Sequence, residues 1–150
     1  PYPMLAQRFM DHYNAGVPGC PVTAHAASTL AELARRGWQQ SVLSASRRDY
    51  LIEQVSARGL QGFFTELLGL ADIYGVSKVQ MGQQWLAQSG LDPASCVMIG
   101  DTDHDAQVAR AMGTRCVLYT GGHQSRAQLQ AVCPYVIEDL ALLPDLLETL

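Results

Sequence analysis

The sequence predicts an α/β fold, a doubly wound parallel sheet with helices on both faces. Three observations carry that prediction. Candidate strands and amphipathic helices alternate along most of the chain. The strand candidates are mostly apolar and lack period-two polarity, the mark of strands buried on both faces. Glycine stands after most helical segments, where helices stop. The 150 residues suffice for one domain with a real core, and 48% apolar residues argues against disorder.

Residues 1–21 open awkwardly. Leu5, Phe9 and Tyr13 recur at helical steps within Met4–Tyr13, and the Gly- and Pro-rich NAGVPGCP then reads as a loop. From Thr23 to Arg36, the residues Ala26, Ala27, Leu30, Leu33 and Ala34 form one helical face, ended by Gly37. Gln40–Ala45 is a short strand, and Arg47–Arg58 a helix closed by Gly59. Phe63–Leu70 is a weaker strand, because its leucine-rich stretch also suits a helix. Lys78–Ser89 is a helix stopped by Gly90, and Asp92-Pro93 turns the chain into a strand at Cys96–Ile99. AQVARAMG is a helix ending at Gly113, and Arg115–Tyr119 is a buried strand. A Thr-Gly-Gly-His loop, a helix over Ser125–Ala131 and an edge strand at Pro134–Ile137 follow. Leu140–Leu150 is a terminal helix with Pro144 near its first turn.

Composition narrows the function classes. A net charge of −4 with no Lys/Arg cluster offers no electrostatic footprint for nucleic acid or an anionic membrane. No apolar run approaches the roughly 20 residues of a spanning helix, and the first residues lack the basic-then-apolar order of a signal peptide. Cys20, Cys96, Cys116 and Cys133 are widely spaced with no CxxC. They read as buried thiols, not disulfides or zinc ligands, which points to a reducing, cytoplasmic compartment.

In a doubly wound sheet, chemistry sits beyond the carboxyl ends of the strands. After VMIG come Asp101, Asp103 and Asp105. Carboxylates this close repel unless a cation sits among them, and a hard divalent ion, Mg²⁺ first, is the simplest remedy. After SVL comes Ser44, then Ala45; Lys78 opens a helix; TGGH places His123 in a loop after RCVLY. A hydroxyl, a lysine and paired carboxylates suit phosphoryl transfer, in which positive charge and fixed donors hold the equatorial oxygens. Each has a plainer reading: Ser44 as a strand-end hydroxyl, Lys78 as a solvated helix residue, Asp103 as a helix cap, His104 pointing to solvent.

In this order the residues resemble the haloacid dehalogenase (HAD)-like phosphatases, especially their phosphoglycolate-phosphatase-like branch, from about Thr23 to the end. SVLSAS is similar to the family's second motif, which implies that Ser44 and the Ala45 N–H bind the transferring phosphoryl group. Lys78 resembles the third-motif lysine, although Lys-Pro is here Lys78-Val79. VMIGDTDHD resembles the fourth motif, implying Asp101 as a Mg²⁺ ligand and Asp105 as support for the metal or its waters. His123 is a further candidate substrate contact.

The resemblance implies a Mg²⁺-dependent hydrolysis of a small phosphorylated metabolite through an aspartyl-phosphate. The DxDxT motif that would supply the nucleophile does not occur in this sequence, so the chain as given is expected to be inactive. The resemblance also implies that residues 1–21 are the tail of a helical cap and that 22–150 form the Rossmann-like core, with the motif-I strand absent. That strand would lie between those ending at Ser44 and Asp101. Three outcomes are open: the two strands close on each other, another chain fills the gap, or the sequence is part of a longer protein, the leading expectation. The exposed edge would favour a homo-oligomer. The alternative function is a non-catalytic phosphate- or metal-binding domain. A receiver domain is disfavoured, because its acidic cluster precedes its hydroxyl and lysine.

Overall fold

The computed structural model describes residues 22–70 and 76–150. The cap remnant and linker expected over residues 1–21, with Cys20, lie outside the described residues. The first described helix, α1 (Ala26–Arg35), begins three residues later than its apolar spacing suggests, because His25 precedes it in the left-handed region at φ 65° with no side-chain cap. Gly37, at φ 90°, lets the chain leave the helix.

Strand β1 (Ser41–Arg47) buries its first four residues. It leads into α2 (Arg48–Ala57), whose Leu51 and Val55 are buried. The expected strand from Phe63 starts only at Glu66, since Gln61–Phe63 winds into a 3₁₀ turn; β2 is Glu66–Leu70. Helix α3 (Lys78–Ser89) has the predicted bounds: Ser77 and Gln80 form a reciprocal capping box, and Gly90 ends the helix in the left-handed conformation. Then come β3 (Val97–Gly100), α4 (Asp103–Met112), β4 (Arg115–Tyr119), α5 (Arg126–Gln130) and β5 (Val136–Ile137). The expected terminal helix is shorter. A 3₁₀ turn at Leu140–Leu142 precedes α6 (Leu143–Leu147), with Pro144 in its first turn, where no amide donor is needed.

All strand pairings among the described residues are parallel, in two groups. β1 pairs with β2 (Ser41 opposite Glu66, Leu43 opposite Leu68), and β3–β4–β5 form a second sheet (Val97 opposite Arg115, Leu118 opposite Val136). β1 and β3 do not hydrogen-bond to each other. They are joined by side chains: Leu43, Val97, Met98, Leu86 and Met112 share one buried cluster. A mostly apolar cleft lies between them, lined by Leu43, Leu68, Val97, Met98 and Met112. Among the described residues the sheet is therefore split where the resemblance implies that the motif-I strand would lie.

Alternation along β1 shows the layering. Val42 packs with Leu30 of α1 and with Leu51 and Val55 of α2, whereas the next residue, Leu43, joins the cluster containing α3 and α4 side chains. Helices thus cover both faces, as doubly wound topology requires. Cys96, Cys116 and Cys133 are thiols. Cys133 donates toward the Cys116 carbonyl at 3.3 Å. The hydrogen bond between the two thiols brings Cys133 down to about 7 and pushes Cys116 up. Among the described residues, no helix is long and apolar enough to cross a membrane.

Leu118 is fully buried among Ala106, Leu129 and Cys133. Leu118→Ala is expected to destabilise the fold by about 2–5 kcal/mol, measured as a shift of the urea midpoint at unchanged slope.

Candidate active site

The acidic loop between β3 and α4 is built from hydrogen bonds within a few residues. Thr102 is the N-cap of α4. Its Oγ1 accepts the Asp105 amide at 3.2 Å, and the Asp105 carboxylate reaches back to the Thr102 backbone. Asp103, expected as the cap, is the first helical residue instead. The T-x-x-D spacing carried that information, because a hydroxyl at N-cap and a carboxylate at N3 satisfy two orphan amides at once.

Asp105 has no exposed surface, and both of its oxygens are engaged. Oδ1 accepts from Lys78 Nζ at 2.8 Å. Oδ2 accepts the Asp101 amide at 3.0 Å, the Thr102 amide at 3.1 Å and the Thr102 hydroxyl at 2.9 Å. Lys78 is itself only 6% exposed. Two of the three acids read from the sequence thus have different partners. Asp105 takes a lysine and amide donors, and Asp103 Oδ1 accepts from Gln124 Nε2 at 2.9 Å. No group of three or more His, Cys, Asp or Glu side chains converges into a metal cage among the described residues.

Gly100 has a role other than the turn its type suggests. It carries no positive φ; a Cβ there would fall 2.4 Å from the Asp105 Cβ. Only glycine lets the buried carboxylate fold back over the strand end. Gly122, in the loop after β4, is similar: its Cβ would lie 2.4 Å from Asp101 Oδ2. Asp101 is 5% exposed, so its carboxylate is enclosed beside that loop.

The structure thus brings Lys78, Asp101 and Asp105 together around the start of α4. Ser44 lies across the cleft on β1, fully buried, where its Oγ accepts the Ser46 amide at 3.1 Å. Ala45 and His123 are exposed. Sequence reasoning missed Thr102, Gly122 and Gln124. The capping spacing could have revealed Thr102; the other two act across a separation of about 21 residues that no local pattern encodes.

Fold and site define a parallel α/β protein with a buried lysine–carboxylate pair and a further enclosed aspartate at the carboxyl end of β3. Comparison with known proteins is specific. The chain matches the haloacid dehalogenase-like hydrolase family over residues 2–119. It is 28% identical over 130 residues to the phosphoglycolate phosphatase of Synechococcus elongatus, covering 87% of this chain and 60% of that protein. It is 31% identical over 88 residues to the pyrophosphatase PpaX of Bacillus pumilus, covering 58% of this chain and 41% of that one. A solved haloacid dehalogenase-like hydrolase from Streptococcus pneumoniae superposes with a TM-score of 0.75 at 19% identity, covering 83% of this chain and 59% of that one. The chain belongs to the haloacid dehalogenase-like hydrolase family and, within it, is similar to phosphoglycolate phosphatases. It spans no more than 60% of the length of these relatives.

Removing one partner of a buried ion pair leaves an uncompensated charge. Lys78→Met is expected to cost about 3–5 kcal/mol, read by chemical denaturation. Adding Asp105→Asn, which removes the stranded charge and keeps an amide oxygen for the Thr102 donors, should recover part of that loss.

Proposed function

We propose that this chain is the core of a phosphatase that hydrolyses a small phosphorylated metabolite through an aspartyl-phosphate. The observation that carries this reading is the buried Lys78–Asp105 pair. It fixes the Lys78 ammonium on the same carboxylate that accepts the Asp101 amide, at a strand end, in a chain of this family. Fixed charge and donors in a partly desolvated pocket are what phosphoryl transfer needs most.

In this reading Ser44 and the Ala45 N–H hold phosphoryl oxygens, Lys78 neutralises them, and His123 contacts the substrate. The residues present suit Mg²⁺. The donors are oxygens, and Asp101 is buried at the strand end. Asp101 would hold the ion. Asp105 would support it indirectly by fixing the Asp101 and Thr102 amides, since direct ligation would displace Lys78 or the Thr102 donors. The ion, when bound, would supply Lewis-acid neutralisation of the phosphate oxygens.

The nucleophilic carboxylate would come from a segment outside the 150 residues, as a strand filling the cleft between β1 and β3. Its oxygen would attack phosphorus as the bond to the leaving oxygen breaks, and water would then hydrolyse the acyl phosphate. Residues 1–21 would belong to a cap over this site, and 22–150 to its core.

The test is Mg²⁺-dependent hydrolysis of para-nitrophenyl phosphate by the longer protein containing the upstream segment. Ser44→Ala should lower kcat by about 10²-fold, the usual loss for one preorganised donor, and Asp101→Asn should abolish the Mg²⁺ dependence along with turnover. Activity indifferent to Asp101→Asn would reject the site. Mg²⁺-dependent thermal stabilisation without turnover in that longer protein would favour a binding domain instead.

A further inference from the structure

Gln124 bridges two loops that meet at Asp101. The Asp103 amide donates to Gln124 Oε1 at 2.6 Å, and Gln124 Nε2 donates to Asp103 Oδ1 at 2.9 Å. The two bonds close a ring between the loop after β4 and the first residue of α4. The Asp103 amide is one of the donors that a helix N-terminus leaves unsatisfied, so Gln124 acts as a cap delivered from 21 residues away. Two residues before it, Gly122 lies against the Asp101 carboxylate so closely that no side chain would fit. His123 stands between them.

We propose that Gln124 is a positioning residue for Asp101. It fastens the 120–124 loop to α4 and thereby sets the wall against which the Asp101 carboxylate is held, and with it the placement of His123. The functional meaning of this clamp rests on the reading of Asp101 as a cation ligand; the clamp itself does not.

The polarity of the ring makes it testable. Gln124→Glu replaces the donor with a second carboxylate facing Asp103 and breaks the ring. Asp103→Asn keeps an acceptor oxygen and leaves the ring intact. Combining the two substitutions restores the ring in reverse. The side-chain amide introduced at position 103 then donates to the carboxylate introduced at position 124. The other oxygen of that carboxylate still accepts the backbone amide of position 103, and net charge is unchanged.

Amide hydrogen exchange over residues 119–125 of the intact protein reads the clamp directly. Gln124→Glu should speed exchange by about tenfold, the scale of one ordinary hydrogen bond, with Asp103→Asn near wild type and the double variant restored. A Mg²⁺ titration followed by thermal shift should show the same order, with a midpoint weakened by about tenfold in Gln124→Glu and recovered in the double variant. Unchanged exchange in Gln124→Glu, or no recovery in the double variant, overturns the clamp. Altered and rescued exchange with an unaltered Mg²⁺ midpoint overturns the positioning role while keeping the clamp. A wild-type protein indifferent to Mg²⁺ rejects the metal reading of Asp101, and the exchange arm still decides whether Gln124 holds the loop.

Discussion

The ion pair between Lys78 and Asp105 is the constraint around which the other parts are placed. An ionised carboxylate with no exposed surface carries a desolvation penalty of several kcal/mol, repaid only by a close opposite charge and by hydrogen bonds to its remaining lone pairs. Asp105 has both: the lysine on one oxygen and three donors from Asp101 and Thr102 on the other. This ties the start of α3, the end of β3 and the first turn of α4 to one point. Two glycines make the arrangement sterically feasible. Gly100 admits the Asp105 side chain over the strand end. Gly82 lets α3 approach α4, since a Cβ there would fall 2.4 Å from the Met112 sulfur.

The split sheet is the second organising feature. A parallel strand buried on both faces normally has its backbone groups paired on both edges, and β1 and β3 each have a described strand partner on one edge only. Side chains from both line an apolar cleft, so the two half-sheets share a core without sharing a ladder. This agrees with relatives of greater length and with the proposal that a further strand, bearing the nucleophile, completes the sheet. The polar groups follow the same division: Ser44 belongs to one half, and Lys78 with the acidic loop to the other.

Helix positions were legible from local pattern because their signals are local. Ser77 with Gln80, Gly90 and Gly113 fix the ends of α3 and the C-terminus of α4 through backbone chemistry that needs no tertiary context. β2 was harder to bound, since Phe63 and Phe64 satisfy strand propensity yet Phe63 is drawn into a 3₁₀ turn. The start of α1 was misplaced because His25 adopts a left-handed conformation that its residue type does not advertise. At the site, Ser44, Lys78 and Asp101 are candidates by their order along alternating elements.

From the sequence alone came the α/β class, the parallel alternation, the family resemblance and the identity of the acidic loop, because periodicity, glycine stops and motif spacing are short-range properties. Only the tertiary structure decided how charge is distributed within VMIGDTDHD. Three carboxylates that look alike in sequence part company in space: Asp105 to Lys78, Asp103 to Gln124, and Asp101 beside Gly122. The reason is that the partners come from residues 21 to 27 positions away. Burial makes electrostatics depend on which groups are brought within about 3 Å, and no local pattern specifies that.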